Sequence, residues 1–285
     1  MFVPSKVLEE KLKKILAEDV GQGDVTSAAV IPKDLIVDSV IIAKEEGIIA
    51  GIEEAMILAK SLGFSAKPEA ADGDVIKKGD LILKISGNAR AILSAERTML
   101  NLLSRMSGIA TTTRSLSEML QKANLNVKVA ATRKTAPGLL YFDKKAVFIG
   151  GGNPHRLRLD DMILIKDNHI AIVGSVDKAI EKAKTASFSK KIEVEVSSIS
   201  DALKAAKAGV DIVMLDNFSP QKVKDAVRSL KKAGLFGKVL LEVSGRITKQ
   251  NLLEYASEKV DLISMGSLTQ SVKALDMSLE IVNVK

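Results

Sequence analysis

The residues best suited to chemistry in this sequence are concentrated in one segment, GGGNPHRLRLDDMILIKDNHI, residues 150–170. It contains both histidines of the chain, His155 and His169, together with two arginines, one lysine and three aspartates. Two histidines 14 residues apart do not have the spacing of a zinc site. No Gly-Lys-Ser or Gly-Lys-Thr follows the three glycines, so they are not a P-loop. The cations instead indicate a binding site for an anion.

Lys166 is the strongest evidence for such a site. It follows Ile163, Leu164 and Ile165 on an apolar, strand-like run, where a lysine is costly unless it meets an anion. Arginine guanidinium groups bind pairs of carboxylate or phosphate oxygens, while lysine supplies a compact charge. The sequence therefore predicts a polyanionic substrate bound by a cluster of cations, which are Arg133, Lys134, Arg156, Arg158 and Lys166.

Six strand-like runs alternate with helix-like stretches in the second part of the chain. The alternation predicts a parallel sheet, open or closed into a barrel, with Ser200 and Ser219 capping two of the helices. Each run ends in polar residues, which are Arg133-Lys134, Lys166-Asp167, Glu195, Asp216, Ser244 and Ser264. Because such folds bind ligands at the carboxyl ends of their strands, the six ends predict one site.

Side-chain alternation places acidic groups inside the predicted barrel. Glu193 and Glu195 share one face of their strand, and Glu242 shares a face with Ser244. Buried carboxylates need partners, so we expect them to meet the cations and a polar, charged ligand. Glu195 and Asp216 could accept hydrogen bonds from sugar hydroxyls or help hold Mg2+.

The last two strand ends, VSGRIT and SMGSLT, combine small residues with free backbone N–H groups. Loops after the last strands of a β/α barrel commonly bind phosphate, because N–H groups and a following helix N-terminus favour anions. Together with the cations, these ends predict a phosphosugar and a second anionic partner.

Residues 1–108 have a different pattern. Short apolar runs interrupted by Asp72-Gly73, Lys78-Gly79-Asp80 and Ser86-Gly87 predict small antiparallel strands with tight turns. Lipoyl and biotinyl carriers have similar turns, but they need a modified lysine at an exposed hairpin tip, which disfavours that class here. Residues 94–123 predict a long helix that Ser94 caps, with a break or bend at Gly108 that marks the domain boundary.

Composition limits the classes of protein to consider. The chain has no cysteine, which excludes disulfides, thiolate metal sites and cysteine nucleophiles. The net charge of +7 suggests nucleic acid, but acids are interspersed with bases, and there is no tryptophan for stacking. The N-terminal residues do not resemble a secretion signal, and no run is long and apolar enough for a membrane helix. We therefore expect a globular cytoplasmic enzyme.

Several motifs together resemble the carboxylating nicotinate-nucleotide pyrophosphorylases, also called quinolinate phosphoribosyltransferases. The order and spacing match over nearly the whole chain for EDVGQGDVTS, ERTMLNLLSRMSGIATTT, ATRKTAPGL, GGGNPHRLRLDDMILIKDNHI, EVEVSS, VMLDNFSP, LEVSG and ISMGSLTQS. The resemblance implies transfer of phosphoribosyl from phosphoribosyl pyrophosphate to quinolinate, with Mg2+, giving nicotinate mononucleotide, pyrophosphate and CO2 in NAD biosynthesis.

The resemblance also implies the fold and the assembly. An N-terminal α/β sandwich over residues 1–108 would precede an incomplete α/β barrel over residues 109–272, with residues 273–285 packing back on the first domain. The family works as a homodimer with shared active sites, and whether dimers assemble further is left open. Arg97 would be donated by the neighbouring subunit.

The same resemblance assigns the remaining site residues. Lys134, Lys166, Glu195 and Asp216 would be catalytic, with the last two holding ribose hydroxyls and Mg2+ held mainly by the sugar donor near them. The quinolinate site would contain Thr132, Arg133, Lys134, His155, Arg156 and Lys166, with His169 close by. The phosphate of the sugar donor would be bound by Ser244, Gly245, Arg246, Met265 and Gly266.

The sequence departs from the family pattern at three positions. Arg158 stands where glycine is frequent, Leu140 where arginine is common, and Arg246 where a small or polar residue is frequent. Arg158 could pair with Asp160 or Asp161, or alter the rim of the pocket. Two alternative functions remain: a phosphoribosyltransferase acting on nicotinate or another small anionic ring, and a binding protein for phosphosugars or nucleic acid that lacks the chemistry.

Overall fold

The computed structural model describes residues 3–285, which form two compact units. One comprises Met1–Arg114, of which residues 3–114 are described, with Tyr141–Gly151 and Val272–Lys285. The other comprises Ser115–Leu140 and Gly152–Ser271. Among the described helices, none combines the length and apolar character needed to cross a bilayer.

Helices and strands follow one another along the whole chain. The helices are α1 (Ser5–Val20), α2 (Val25–Val30), α3 (Ile52–Ser61), α4 (Ala89–Lys122), α5 (Leu140–Ile149), α6 (Asp167–Val173), α7 (Val176–Ala186), α8 (Ile199–Lys207), α9 (Pro220–Lys232), α10 (Leu252–Ala256) and α11 (Ser267–Gln270). The strands are β1 (Ile36–Ala43), β2 (Gly47–Ile48), β3 (Ser65–Pro68), β4 (Val75–Ile76), β5 (Leu81–Asn88), β6 (Lys128–Ala130), β7 (Ile163–Ile165), β8 (Ile192–Val196), β9 (Ile212–Asp216), β10 (Leu240–Ser244), β11 (Leu262–Ser264) and β12 (Met277–Val284).

The first unit is built on an antiparallel sheet in the order β12-β1-β5-β3. The last strand of the chain therefore pairs with the first, from Val37 opposite Val284 to Ala43 opposite Met277. Helix α1 buries Leu8, Leu12 and Leu16, which are spaced four residues apart and so lie on one face. This apolar stripe accounts for the position of α1 in the core.

Helix α4 differs from its sequence prediction at both the start and the middle. It begins at Ala89, and the side chain of Asn88 accepts a hydrogen bond from the Ala91 amide, so Ser94 lies inside the helix and does not cap it. The helix also continues through Gly108 without a break. A Cβ at Gly108 would lie 2.0 Å from the carbonyl oxygen of Lys273. The glycine therefore permits a close backbone approach and does not end the helix.

Helix α5 belongs to the first unit, although the sequence assigned residues 141–151 to the barrel domain. Its charged side chains explain the difference. Asp143 is fully buried and accepts hydrogen bonds from Arg105, at 2.7 and 2.9 Å. Lys145 donates to both Glu53 and the fully buried Glu54. Because breaking a buried ion pair leaves an uncompensated charge, these pairs hold α5 against the elements of the first unit.

The second unit is an all-parallel, six-stranded sheet in the order β6-β11-β10-β9-β8-β7. Its strands are the six predicted from the sequence, and β6 and β7 do not pair with each other. The predicted α/β class, with an antiparallel-sheet domain and an incomplete barrel, is confirmed. Ser219 caps α9 as predicted, whereas α8 is capped by Ser198 and not by Ser200, because the helix begins one residue before Ser200.

The close approach at Gly108 predicts an unusual effect of alanine. Gly108→Ala should lower the free energy of unfolding by about 1–3 kcal/mol, because the added methyl group overpacks against Lys273. This loss would occur although alanine normally favours a helix over glycine by about 1 kcal/mol. Urea unfolding followed by circular dichroism measures the change.

The matched control is Thr112→Ala, at an exposed position on the same helix. We expect its free energy of unfolding to stay within about 0.5 kcal/mol of that of the original protein. A Gly108→Ala variant that is more stable than the original would contradict the close approach.

Candidate active site

A cavity of about 550 Å3 opens at the carboxyl ends of the strands of the second unit. All of its lining residues belong to that unit. They are Ala131, Thr132, Arg133, Lys134, His155, Arg156, Leu164, Lys166, Glu195, Met214, Asp216, Asn217, Glu242, Ser244, Gly245, Arg246 and Ser264. The structure thus brings together all of the predicted site residues except Arg97, Met265 and Gly266.

The three remaining residues lie elsewhere. Arg97 is exposed on α4, in the first unit. The side chain of Met265 is buried, and its backbone N–H donates to the carbonyl of Ala130. Neither the side chain nor the N–H of Met265 is therefore available to a ligand in the cavity. Gly266 is outside the lining but adjoins two of its residues, since a Cβ there would be 3.0 Å from Lys134 Cδ and 3.7 Å from Thr132 Oγ1.

Two arginines and a lysine give one side of the cavity its positive charge. Arg133 and Lys134 follow β6, where the Lys134 amide donates to Thr132 Oγ1 and the Lys134 carbonyl accepts from the Thr269 hydroxyl. Burial, and after it the charge of nearby Arg133, lowers the pKa of Arg156 from its ordinary value. Two guanidinium groups that repel each other would be stabilised by an anion between them.

Lys166 directly follows β7, and its side chain is 44% exposed. Its Nζ is 2.5 Å from Oε2 of Glu195, a residue of neighbouring β8 whose side chain is 14% exposed. Lys166 therefore has a carboxylate partner in the protein itself, while part of its side chain stays in contact with water. The ammonium group has three donors, so it can bind a ligand oxygen while it keeps Glu195.

The residues at the ends of β9 and β10 contact each other closely through polar groups. The Asn217 amide donates to the Ser244 carbonyl, and Asn217 Nδ2 donates to Asp216 Oδ2 at 2.6 Å. Asn217, Gly245 and Arg246 all have positive φ values, of 53°, 103° and 52°. A Cβ at Gly245 would lie 2.3 Å from Asn217 Oδ1, so only glycine fits there.

His155 contacts two acids that the sequence had placed in the barrel interior but not in the site. Its Nε2 is 3.0 Å from Glu242 Oε2 and 3.1 Å from Glu193 Oε2, and both glutamates are fully buried. Burial alone would lower the pKa of His155, but the two carboxylates outweigh it and raise the pKa to about 9. The alternation of side chains along the strands predicted that Glu193 and Glu242 face the interior. Nothing in the sequence indicated that they pair with His155.

These three side chains also form, among residues 3–285, the one group of histidines and acids whose donor atoms are close enough for a metal ion. The Ser264 hydroxyl donates to the other oxygen of Glu242. One Nε2–H cannot satisfy both glutamates, and neither oxygen of Glu193 has a well-aligned hydrogen-bond donor. Since Nε2 lies at hydrogen-bond distance from both acids, we interpret the group as an ion-pair cluster.

The other polar residues of the 150–170 segment have structural partners. His169 Nδ1 accepts a hydrogen bond from the Lys166 amide at the start of α6. Arg158 pairs with Asp160, as predicted, and this pair is exposed. Asp161 accepts from the Leu157 and Arg158 amides and so holds the loop.

Comparisons with known proteins agree with this geometry. The model of the quinolinate phosphoribosyl transferase C-terminal domain matches residues 109–280, and that of the N-terminal domain of the same family matches residues 24–107. The chain belongs to the quinolinate phosphoribosyl transferase family. The activity predicted from the sequence, transfer of a phosphoribosyl group to quinolinate in NAD biosynthesis, is thereby confirmed, and the two alternative functions are not favoured.

Individual members of the quinolinate phosphoribosyl transferase family are similar along their whole length. A probable carboxylating nicotinate-nucleotide pyrophosphorylase of Methanocaldococcus jannaschii is 48% identical, over 95% of this chain and 96% of its own. One of the same name from Methanothermobacter thermautotrophicus is 46% identical, over 96% and 99%. The solved nicotinate-nucleotide pyrophosphorylase of Francisella tularensis is 37% identical, covers 99% of this chain and 98% of its own, and has a TM-score of 0.89.

The close contact between Gly245 and Asn217 gives a testable prediction about binding of the sugar donor. Gly245→Ala should raise the KM for phosphoribosyl pyrophosphate at least about tenfold, because the methyl group displaces Asn217 and, with it, Asp216. Steady-state kinetics at saturating quinolinate measures the change.

Gly237→Ala is the matched control, since Gly237 also has a positive φ but a Cβ added there would meet no atom within 4 Å. It carries the same kind of backbone strain outside the cavity and should leave the KM unchanged. An equal effect of both substitutions would show that backbone strain, and not the position of Asp216, controls the binding of the sugar donor.

Proposed function

We propose that this cavity catalyses the whole family reaction, in which quinolinate and phosphoribosyl pyrophosphate give nicotinate mononucleotide, pyrophosphate and CO2. One observation supports it above the others: the guanidinium groups of Arg133 and Arg156 and the ammonium group of Lys166 line a single cavity together with the carboxylates of Glu195 and Asp216. Such a site suits a dianionic ring on one side and a sugar on the other.

Quinolinate would lie on the cationic side. Its two carboxylates would be bound by Arg133, Arg156 and Lys166, with Thr132 and His155 completing the pocket. Neutralising both carboxylates requires several cations, and one carboxylate must stay bound while the other leaves.

The sugar donor would lie on the acidic side. Glu195 and Asp216 accept hydrogen bonds from ribose hydroxyls, while Ser244, Gly245 and Arg246 bind the phosphate. Mg2+ would be held mainly by the diphosphate oxygens of phosphoribosyl pyrophosphate, with Glu195 and Asp216 as the protein carboxylates available to it, and it would offset the charge of the leaving pyrophosphate. This arrangement fits the preference of Mg2+ for phosphate and carboxylate oxygens.

In the first step, the bond between the anomeric carbon and pyrophosphate breaks, and the ring nitrogen forms the new bond to that carbon. Positive charge develops on the ribose, where Glu195 and Asp216 stabilise it, while Lys134 stabilises the charge on the leaving pyrophosphate. Holding nitrogen and carbon in contact supplies the entropic part of the acceleration. Loss of CO2 then leaves its electron pair on the ring carbon beside the alkylated nitrogen, and a proton from solvent replaces it.

We also propose that the active enzyme is a homodimer in which Arg97 of one chain completes the site of the other. Support comes from the exposed position of this arginine on α4, where it has no ion-pair partner among residues 3–285. A fourth cation at the dicarboxylate pocket, beside Arg133, Arg156 and Lys166, would strengthen the binding of the doubly charged quinolinate. Assembly of dimers into larger complexes and the cytoplasmic location stay predictions.

The overall reaction is tested by its products. With phosphoribosyl pyrophosphate and Mg2+, we expect carboxyl-labelled quinolinate to release labelled CO2 in equal amount to the nicotinate mononucleotide formed, because loss of CO2 follows each transfer. Scintillation counting and chromatography measure the two products. Turnover of nicotinate alone, without turnover of quinolinate, would contradict the proposal.

The shared site is tested by mixing two inactive variants. Arg97→Ala and Lys166→Met chains should each lose at least about a hundredfold in kcat/KM for quinolinate, since each removes a charge-assisted contact. Co-expressed, they should recover about a quarter of the original activity, because half of the randomly mixed dimers contain one intact site of two.

Lys224→Met, at an exposed position on α9, replaces Lys166→Met in the control mixture. Lys224→Met alone should be fully active. If the Arg97→Ala and Lys166→Met mixture stays inactive although size-exclusion chromatography with light scattering shows mixed dimers, Arg97 acts within its own chain.

A further inference from the structure

The ring of His155 has two different sides. Its Nε2 faces the buried carboxylates of Glu242 and Glu193, at 3.0 and 3.1 Å. Its Nδ1 has no hydrogen-bond partner among residues 3–285 and is not among the buried unpaired atoms, while the residue lines the cavity. One nitrogen is therefore held by the protein, and the other is available to a ligand.

The two acceptors restrict the protonation of the ring. Carboxylate oxygens accept hydrogen bonds, so Nε2 must carry a proton. A neutral ring with its proton on Nε2 would present a lone pair at Nδ1 and repel a carboxylate in the cavity. A doubly protonated ring presents an N–H there instead. Only the doubly protonated state is therefore attractive on both sides.

The surrounding charges determine which state exists. Glu193 from β8 and Glu242 from β10 favour the cation and raise the pKa of His155 to about 9 in spite of its burial. Burial also raises the pKa of Glu193, and the hydrogen bond with His155 opposes that change. Arg156 follows in the chain and opposes the cation. The charged residues that line the rest of the cavity are Arg133, Lys134, Lys166, Glu195, Asp216 and Arg246.

The same contacts fix the backbone around the ring. His155 has a φ of 53°, in the left-handed region, which is uncommon for a residue other than glycine. Its amide donates to Asn153 Oδ1 at 2.7 Å. An ion pair to the ring and a hydrogen bond to the amide together hold this conformation, which sets the direction in which Arg156 leaves the loop.

We propose that Glu193 and Glu242 are positioning residues of the active site, which hold Nε2 of His155 so that Nδ1 presents an N–H to a carboxylate of the aromatic dicarboxylate substrate. The assignment rests on the proposed function in taking quinolinate as that substrate. His155 is then a fixed hydrogen-bond donor and a permanent charge, and it does not transfer protons during the reaction.

The protonation state can be observed directly, because the chain has only two histidines. In 15N spectra of the labelled full-length protein at about pH 7.5, both nitrogens of His155 should be protonated. His169 is an internal reference, since its Nδ1 accepts from the Lys166 amide and so carries no proton. A His155 ring with a single proton under these conditions would overturn the proposal without any variant.

Variants connect this state to substrate binding. Glu242→Gln and Glu193→Gln keep the shape of the side chain but remove its charge, so the His155 ring should lose a proton at about pH 8. At about pH 8, we expect quinolinate to bind to these variants at least about tenfold more weakly than to the original protein, as measured by titration calorimetry. At about pH 6, where an unperturbed histidine is protonated, binding should recover to within about threefold of the original protein. Glu254→Gln, exposed on α10, should change neither quantity.

Each other outcome is decisive. Equal weakening at both pH values would show that the glutamates act only through folding, and it overturns the proposal. Displacement of the ring protons by added Zn2+ at micromolar concentration would identify a metal site, and it also overturns the proposal. An original protein that does not bind quinolinate overturns the proposed function as well, whereas binding by a singly protonated ring overturns this inference alone.

Discussion

The fully buried carboxylates of Glu193 and Glu242 must find partners inside the second unit, because burial removes the water that would otherwise stabilise their charge. The arrangement of the cavity follows from this constraint. Lys166 is paired with Glu195, and His155 lies between Glu193 and Glu242. The same constraint operates in the first unit, where Arg105 pairs with Asp143 on α5. Charge compensation thus determines both where helix α5 belongs and how the site is built.

Arg133 and Arg156 differ from Lys166 and His155 in their charge pairing, and the proposed function depends on this difference. Neither has an ion-pair partner within 4.0 Å among residues 3–285, and the charge of Arg133 adds to the effect of burial in lowering the pKa of Arg156. The protein pairs Lys166 and His155 with its own carboxylates but leaves these two guanidinium groups to the substrate. A dicarboxylate supplies the missing negative charge, while a monocarboxylate supplies only half of it. In the proposed site, these two guanidinium groups therefore favour quinolinate over nicotinate for an electrostatic reason.

The sequence analysis noted three departures from the family pattern, and the structure shows which of these residues line the cavity. Arg158 pairs with Asp160 at the surface and does not line the cavity. Leu140 begins α5, away from the lining residues. Arg246 is different, because it lines the cavity with a left-handed backbone next to Gly245. Arg246 is therefore the one departure of the three that adds a cation to the lining of the cavity.

The sequence by itself determined the architecture of the second unit and the composition of the site. Hydrophobic periodicity is local, so the six strands, the polar ends and the inward faces of Glu193 and Glu242 could be predicted from neighbouring residues. The pairing of His155 with those acids could not, because it joins residues that are 38 and 87 positions apart through the loop conformation. The assignment of α5 to the first unit, the continuity of α4 at Gly108 and the exclusion of Met265 from the cavity depend likewise on contacts distant in sequence. Tertiary packing decides such contacts, since only the folded chain brings their partners within bonding distance.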